Sequence, residues 1–288
     1  MGMTISKDFG CFVISLMAEE SPPPFDQPDA CFNTLPGWTW VGTYGGWYLQ
    51  SDLLAGFEHG FFTRQWEGRE PDELAGFLSA GISVHRPRQI HSARVLPAHE
   101  ASAPPWPEGD GLISSGGGQS LWVCGADCTP VLLADSRTGR VAACHTGWRG
   151  VAGRILPRAL SMLVEAGSSC ADVLVALGPA VSGEAYQVER DVSQQVAESL
   201  FPSGTSHPGG SGALAELLAC GAVQADAIPG RDRLDIRAAT KRQLENEGIP
   251  PLNISVCSLC TVANPLLFHS WRRDQVKAVQ WSGIISQA

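Results

Sequence analysis

The chain has 288 residues, of which 44% are hydrophobic, and a formal net charge of -9. This length allows one large core or two small domains. The acidic balance argues against a nucleic-acid-binding protein, which needs a basic face, whereas one or two arginines in a pocket suffice to bind a small anion.

The first 36 residues show no sustained hydrophobic periodicity and include three consecutive prolines after Ser21. Such a composition is typical of a linker or an unstructured extension. We therefore expect a disordered or weakly ordered leader over residues 1–36 and one catalytic domain over residues 37–288.

The sequence shows neither a clear targeting signal nor a disulfide framework, so we expect a cytoplasmic protein. No apolar run approaches the roughly 18 residues that a membrane-spanning helix needs, and the apolar stretch 9–18 follows a single basic residue, Lys7. The nine cysteines are odd in number and lack a disulfide framework. Cys257 and Cys260 have the spacing of half a zinc site without its second half, so we expect two small buried residues there.

Alternating or continuous apolar runs between turn residues predict the strands, and apolar residues three or four apart predict the helices. The predicted strands cover residues 61–63, 88–95, 121–124, 131–134, 141–144, 173–177 and 254–257. The predicted helices cover residues 71–80, 151–165, 191–200, 213–223 and 235–247. Residues 135–139 are predicted to form a hairpin turn, and residues 202–212 a mobile loop. This mixture, without internal repeats, indicates a single α/β domain with a mixed sheet.

Chemically versatile side chains follow two of the predicted strands. Cys128 comes shortly after the strand over residues 121–124, and His145 comes directly after the strand over residues 141–144. Polar residues at strand ends are where α/β proteins place their chemistry. His91, in a segment further upstream, is a third residue of the same kind.

The residues alone leave three interpretations of this trio open. A thiolate and two imidazoles suit a zinc or copper ion, and a catalytic zinc site typically has three protein ligands and one open position. Alternatively, Cys128 is a nucleophile with His145 as its base and Asp127 or another group as the orienting group. The third interpretation is two hydrogen-bonded core histidines and a buried thiol.

Arginines supply candidate anion-binding groups. Arg149 follows His145 closely, Arg64 ends a predicted strand, and Arg272 and Arg273 are adjacent. A guanidinium group can bind a phosphate or a carboxylate through two parallel hydrogen bonds. The alternative for each of them is a surface salt bridge. His269 is a reserve ligand or base, or a structural residue.

Taken together, these strings resemble the laccase-domain family, also called polyphenol oxidase or peptidoglycan editing factor. Its members act as zinc-dependent purine nucleoside phosphorylases. The resemblance covers roughly residues 38–288, and its most specific parts are the Asp-Cys pair and the His-x-Gly-Trp-Arg-Gly motif. The strings that carry it begin at Arg64, Gln89, Asp110, Ala126, His145, Gly178, Tyr186, Cys260 and His269.

The resemblance implies a three-layer α/β/α fold and a metal ion, zinc with copper as the alternative, held by His91, Cys128 and His145. It also implies that the partners are a purine nucleoside and inorganic phosphate. The nucleosides are adenosine, inosine, guanosine and methylthioadenosine, and adenosine deamination is a side activity. The implied catalytic residues are Asp127 and Arg149, with Asp135 as an alternative proton carrier. The implied substrate-binding residues are Arg64, Gln89, Ser270, Arg272 and Arg273.

The sequence departs from the family pattern at several places. Gln187 stands where a glutamate is common, Trp271 replaces a tyrosine, and the usual Gly-Arg pair after Asp274 is missing, as is Asn-Leu-Gly between Arg64 and Gln89. These departures concern the substrate profile rather than the metal trio.

Two other functions compete with phosphorolysis. A copper polyphenol oxidase would need several paired histidines, but the chain has seven in all and no His-x-His pair. A blue-copper site also needs a weak axial ligand, often methionine, and the nearest one, Met162, lies well into the predicted helix. A non-catalytic editing or partner-binding protein would keep the metal site without turning over nucleosides.

Overall fold

The computed structural model describes residues 35–200 and 212–287. Apart from its last two residues, the predicted leader lies outside the described residues, and so does nearly all of the predicted loop over residues 202–212. Within the described part of the chain, every helix is too short or too polar to cross a bilayer.

Fifteen strands and seven helices form the described fold. The strands are β1 (Trp38–Thr43), β2 (Gly46–Ser51), β3 (His59–Phe62), β4 (Ser83–His85), β5 (Val95–Pro97), β6 (Gly111–Ile113), β7 (Gln119–Gly125), β8 (Thr129–Asp135), β9 (Val141–Thr146), β10 (Val173–Leu177), β11 (Gln187–Glu189), β12 (Val223–Ala225), β13 (Arg231–Leu234), β14 (Ile254–Val256) and β15 (Gln280–Ile285). The helices are α1 (Pro71–Leu74), α2 (Trp148–Ala152), α3 (Ile155–Glu165), α4 (Arg190–Glu198), α5 (Ala213–Ala219), α6 (Ile236–Asn246) and α7 (Trp271–Asp274).

The strands form two six-stranded mixed sheets and one small sheet. The first has the order β1-β2-β3-β15-β7-β4, and only its β4–β7 pair is parallel. The second has the order β14-β10-β8-β9-β6-β5, with parallel pairs at its two edges. The third, β11-β13-β12, is antiparallel.

The two large sheets stack on each other and share a core. Val123 of β7 packs in one buried cluster with Leu132 of β8. The next residue of β8, Leu133, points to the other face and packs with Leu160 of α3. Because both of its faces are covered, every residue of β8 is buried.

The predicted α/β class is confirmed, but the strands divide into two stacked sheets where the sequence predicted a single mixed sheet between helical layers. The additional sheet, the first of the three described above, arises because β15, a strand that was not predicted, pairs with both β3 and β7, and the unpredicted strands β1 and β2 extend it beyond β3. Helix α1 packs on the outer face of this added sheet, with Leu74 beside Trp122.

The predicted strand over residues 88–95 is wrong, because this segment is an irregular loop and strand β5 begins only at Val95. The backbone N–H groups of residues 90–92 donate to the carboxylate of Asp110. A segment whose donors bind a side chain in this way cannot form a regular strand ladder.

The predicted helix over residues 151–165 is divided at Arg154, whose φ of 63° lies in the left-handed region. Helix α3 begins directly afterwards, and Pro157 lies in its first turn, as predicted, where a missing N–H costs nothing. The remaining predicted strands, and the helices predicted over residues 191–200 and 235–247, occur with ends shifted by at most two residues. The helices predicted over residues 71–80 and 213–223 are shorter, because α1 ends at Leu74 and continues only as a 3-10 turn, and α5 ends at Ala219. The hairpin turn over residues 135–139 is closed by the Gly139 N–H to the Asp135 carbonyl.

Candidate metal centre

His91, Cys128 and His145 converge in the folded chain. Each offers one ligand atom, and the three atoms lie within 4.8 Å of one another, so that the group could hold a metal ion. The two imidazole rings meet edge to face with their centroids 4.8 Å apart. His145 is buried, Cys128 is half-buried and His91 is exposed, so the trio is open to solvent on the His91 side.

The antiparallel pairing of β8 and β9 brings two of the ligands together. Thr129 at the start of β8 pairs with Thr146 at the end of β9. Cys128, just before β8, therefore lies beside His145 near the end of β9. The turn before Cys128 contains Asp127 in the left-handed region, with a φ of 91°.

Asp110 links His145 to the loop that carries His91. Its carboxylate accepts a hydrogen bond from Nδ1 of His145 at 2.9 Å and another from the backbone N–H of His91 at 2.9 Å. The hydroxyl of Ser92 donates to the same carboxylate at 2.7 Å. These bonds hold His91 in the left-handed region, with a φ of 59°, and leave Nε2 of His145 for a ligand bond.

The charges of the site reinforce this arrangement. Burial alone would raise the pKa of Asp110, but the hydrogen bonds from His145 and Ser92 outweigh it and lower the pKa to about 2. Burial would likewise raise the pKa of Cys128, but the neighbouring His145 and His91 lower it to about 6. A thiolate is therefore available near neutral pH, as a metal ligand or a nucleophile must be.

His145 is the cationic partner of that thiolate. Burial would lower the pKa of His145, but Cys128 and Asp110 raise it to about 9. A metal ion that binds the imidazole must displace this proton, so metal binding and proton release are coupled here.

A glycine makes room for the thiolate. A Cβ atom on Gly147 would lie 2.7 Å from Sγ of Cys128 and 3.8 Å from the His91 ring. Any other residue at position 147 would therefore press into the trio. The donor set, its carboxylate-supported imidazole and this cleared space together fit a three-ligand zinc site with one open position.

Asp127 and Gln89, both predicted from the resemblance, use their side-chain polar atoms in hydrogen bonds within the protein. Both carboxylate oxygens of Asp127 are engaged, Oδ1 by the Thr261 hydroxyl at 2.6 Å and Oδ2 by the Arg272 N–H at 2.6 Å. The side-chain amide of Gln89 donates to the Cys124 carbonyl and accepts from the Cys124 N–H, both at 2.7 Å. Gln89 thus attaches the His91 loop to β7.

Arg272 stands close to the trio, together with a tyrosine. Its guanidinium lies 4.9 Å from the ring centre of Tyr186 and donates to the Gln187 carbonyl. Burial raises the pKa of Tyr186 to about 12, and the nearby Cys128 charge acts in the same direction. Arg149 is exposed, and its guanidinium lies 4.4 Å from the Trp148 ring centre.

Of the other predicted substrate-binding residues, two line a cavity whose lining does not include the trio, and one is hydrogen-bonded within the protein. Arg64 and Ser270 line a cavity beside Asp274. Arg273 is fully engaged, with donated bonds to the Thr261, Val262 and Phe268 carbonyls and to the Asp274 carboxylate.

Asp135, the alternative proton carrier, is held in the hairpin turn by Arg137 and Thr138. Cys257 and Cys260 are both buried, as predicted. Burial raises the pKa of Cys257 to about 12, which keeps this thiol neutral and inert.

Sequence reasoning missed the functional importance of Asp110 and Tyr186, although both lie in strings that were noticed. The signal for Asp110 is the requirement that a metal-binding histidine donate its second ring nitrogen, most often to a carboxylate. The aspartate between Gly109 and Gly111 is such a carboxylate at the start of a strand.

Comparisons with known proteins identify a family and relatives that this chain resembles. Residues 72–286 match the family described as multi-copper polyphenol oxidoreductase laccase. The chain is 38% identical, over 86% of its length and 97% of the relative, to a protein of Synechocystis sp. named purine nucleoside phosphorylase. It is 29% identical, over 65% of its length and 68% of the relative, to a protein named adenosine deaminase from an unknown prokaryotic organism.

A solved structure shares the fold. The crystal structure of YlmD from Geobacillus stearothermophilus superposes with a TM-score of 0.71 at 23% identity, over 86% of this chain and 99% of that chain.

Proposed function

The chain belongs to the family of the multi-copper polyphenol oxidoreductase laccases, and on that premise we propose that it is a zinc-dependent purine nucleoside phosphorylase. Relatives named purine nucleoside phosphorylase and adenosine deaminase support an enzyme of purine metabolism. The proposed substrates are adenosine, inosine, guanosine and methylthioadenosine together with inorganic phosphate, and the proposed second activity is the deamination of adenosine.

The observation that carries the proposal is the trio of His91, Cys128 and His145, whose ligand atoms lie within 4.8 Å of one another and which is open on the His91 side. These three residues would hold the zinc ion. A zinc ion held there would supply a Lewis acid that polarises a substrate atom, or activates water for deamination. Asp110 keeps His145 in the tautomer and orientation that ligation requires.

Phosphorolysis exchanges one bond at the ribose for another. An oxygen of phosphate bonds to C1′ while the bond from C1′ to the purine nitrogen breaks, and the purine leaves with the bonding electrons and takes up a proton. Phosphate carries negative charge to the site, and we propose that Arg64 and Arg149 neutralise it. Arg272, beside Tyr186 and near Cys128, is proposed to contact the nucleoside.

Other residues are proposed to act by positioning. Asp127 has both oxygens occupied, by Thr261 and Arg272, so we propose that it holds the turn before Cys128 rather than transferring a proton. Gln89 and Arg273 likewise use their polar atoms within the protein and are proposed to support the loops that carry His91 and Arg272.

Copper-dependent oxidation of phenols is the second candidate, and the description of the family favours it. A thiolate with two imidazoles also occurs in blue-copper sites. A multicopper centre needs further clusters of ligands, and within residues 35–200 and 212–287 the trio is the one group of three or more histidine, cysteine or acidic residues that could hold a metal. This favours phosphorolysis over oxidation.

The test is the release of free purine from inosine or adenosine by protein of known metal content, with and without inorganic phosphate. The proposed enzyme releases hypoxanthine or adenine and forms ribose 1-phosphate only when phosphate is present. Release of purine at the same rate without phosphate would contradict the proposal.

A further inference from the structure

A small polar cavity lies next to the segment that carries Arg272. Its polar lining consists of Arg64, Glu67, His269, Ser270 and Asp274, and its volume is about 190 Å³. Pockets for drug-sized ligands measure roughly 300–1,000 Å³. The cavity is therefore smaller than a typical pocket for a drug-sized ligand and has room for a small ion with some water.

His269 gives the cavity an unsatisfied polar group. The residue is 4% exposed, and its Nε2 has no hydrogen-bond partner among the described residues. The nearest carboxylate oxygen, Oε2 of Glu67, is 3.8 Å away, which is beyond hydrogen-bond distance. A buried polar atom without a partner costs free energy unless a ligand or water satisfies it.

Two further donors line the same cavity. Arg64 uses Nη1 to bind the Pro265 carbonyl at 2.7 Å, and the rest of its guanidinium makes no hydrogen bond or ion pair within residues 35–200 and 212–287. Ser270 is 1% exposed, and its oxygen accepts the Arg273 N–H at 3.1 Å, which leaves the hydroxyl proton to donate. A ligand in the cavity thus meets donors from three side chains.

The acidic residues of the cavity do not exclude an anion. Both oxygens of Asp274 are bound by the guanidinium of Arg273 at 2.7 Å, which neutralises this carboxylate. The side chain of Glu67 is 63% exposed at the rim. A side chain this exposed can turn to solvent and leave Nε2 of His269 to an oxyanion.

We infer that this cavity binds inorganic phosphate, with Arg64, His269 and Ser270 as the donors. The inference rests on the proposed phosphorolysis, for which it names the binding site of the second substrate. The cavity is tied to the metal centre, because the Arg272 N–H, two residues after Ser270, donates to Asp127 next to Cys128. Arg149, exposed on the Trp148 ring, then contributes charge and not the binding pocket.

The test is calorimetric titration of inorganic phosphate into the zinc-loaded, full-length protein without nucleoside. Arg64→Gln should weaken phosphate binding on the order of tenfold or more, because a charge-assisted hydrogen bond is lost. His269→Ala should weaken it less, and His269→Gln, which restores an N–H donor, should recover part of the loss. Melting temperature and zinc content, measured for every variant, identify protein that has not folded.

Removal of the Glu67 carboxylate at the cavity rim should change phosphate affinity in the opposite direction. Glu67→Gln should tighten phosphate binding by about two- to fivefold, because a partly exposed like charge is removed. Glu73→Gln is the matched control, since Glu73 is exposed in α1 outside the cavity, and it should leave binding unchanged. Weaker phosphate binding in Glu67→Gln would overturn the inference.

The site and the proposed activity can fail separately. Phosphate binding that follows these signs without any purine release would support the cavity and refute phosphorolysis. Phosphate-dependent purine release with a phosphate KM that Arg64→Gln and both His269 variants leave unchanged would refute the cavity alone. Loss of binding in Arg149→Gln, with Arg64→Gln binding like the wild type, would also overturn the inference.

Discussion

The carboxylate of Asp110 accepts a hydrogen bond from Nδ1 of His145 at 2.9 Å and is itself completely buried. The same carboxylate holds the backbone of the loop that presents His91. One buried side chain therefore orients two of the three candidate ligands, while the third is placed by the turn before β8.

Replacing this carboxylate should weaken metal binding. In Asp110→Asn, the His145 ring loses its charged partner, and support of this kind is typically worth 10- to 100-fold in metal affinity. Competition with a chromogenic zinc chelator measures the change. Asp135→Asn is the matched control, because Asp135 is equally buried but lies at the far end of β8, where the hairpin turn begins. Equal zinc affinity in the two variants would contradict the role of Asp110.

Of the three candidate ligands, the Cys128 thiolate is the one whose loss should weaken zinc binding most. Cys128→Ser should lose most of its zinc, because a hydroxyl is a much poorer ligand for this metal than a thiolate. Elemental analysis of the purified variant gives the zinc content per chain. Cys124→Ser, which removes a neutral thiol four positions earlier, should keep its metal. A fully loaded Cys128→Ser protein would remove Cys128 from the site.

Whether the sequence could predict a given part of the site depends on how far apart along the chain the interacting residues lie. Cys128 and His145 come at or just after apolar runs, and this local pattern predicted that both lie near strand ends; Cys128 lies between β7 and β8, and His145 is the second-last residue of β9. The role of Asp110 was not predictable from local pattern, because its partners Ser92 and His145 are 18 and 35 positions away. The irregular backbone around His91 has the same origin, since a side chain from another element takes its N–H groups.

The fold shows the same division between local and distant interactions. In the second sheet, β8, β9, β10 and β14 were predicted because continuous apolar runs identify elements buried on both faces, whereas the short strands β5 and β6 were not. In the first sheet, β3 and β7 were predicted, but not their separation into a sheet of their own, because β15 near the end of the chain pairs with both of them. Pairings over such distances leave no periodic signal in either segment.

The absence of a side chain at position 147 should matter for zinc binding as much as the ligands do. Gly147→Ala would place a methyl group 2.7 Å from Sγ of Cys128, closer than real contacts allow. We expect the variant to bind zinc more weakly and to melt at a lower temperature. Gly116→Ala is the control, because a Cβ there meets nothing within 4 Å. Zinc affinity in Gly147→Ala equal to that of the control would show that the loop adapts.

The stability of the protein should fall at mildly acidic pH through His59. Burial lowers the pKa of His59, whose Nδ1 donates to the Phe57 carbonyl and whose Nε2 accepts the Ser51 N–H. Since the unfolded chain binds this proton more readily, the stabilisation is present above the ordinary pKa of 6.5 and is lost as the pH falls below it.

Urea unfolding between about pH 8 and pH 5 measures this dependence. His59→Gln should be less stable than the wild type at high pH, and its stability should change less as the pH falls. A pH dependence as steep in His59→Gln as in the wild type would assign the effect to other groups.

The central claim is most directly tested by following inosine, inorganic phosphate and oxygen together in one assay of protein with known zinc and copper content. We predict that zinc-loaded protein converts inosine and phosphate to equal amounts of hypoxanthine and ribose 1-phosphate, and that Cys128→Ser does not. Oxygen uptake with phenols that rises with added copper and ignores phosphate, without any release of purine, would contradict it.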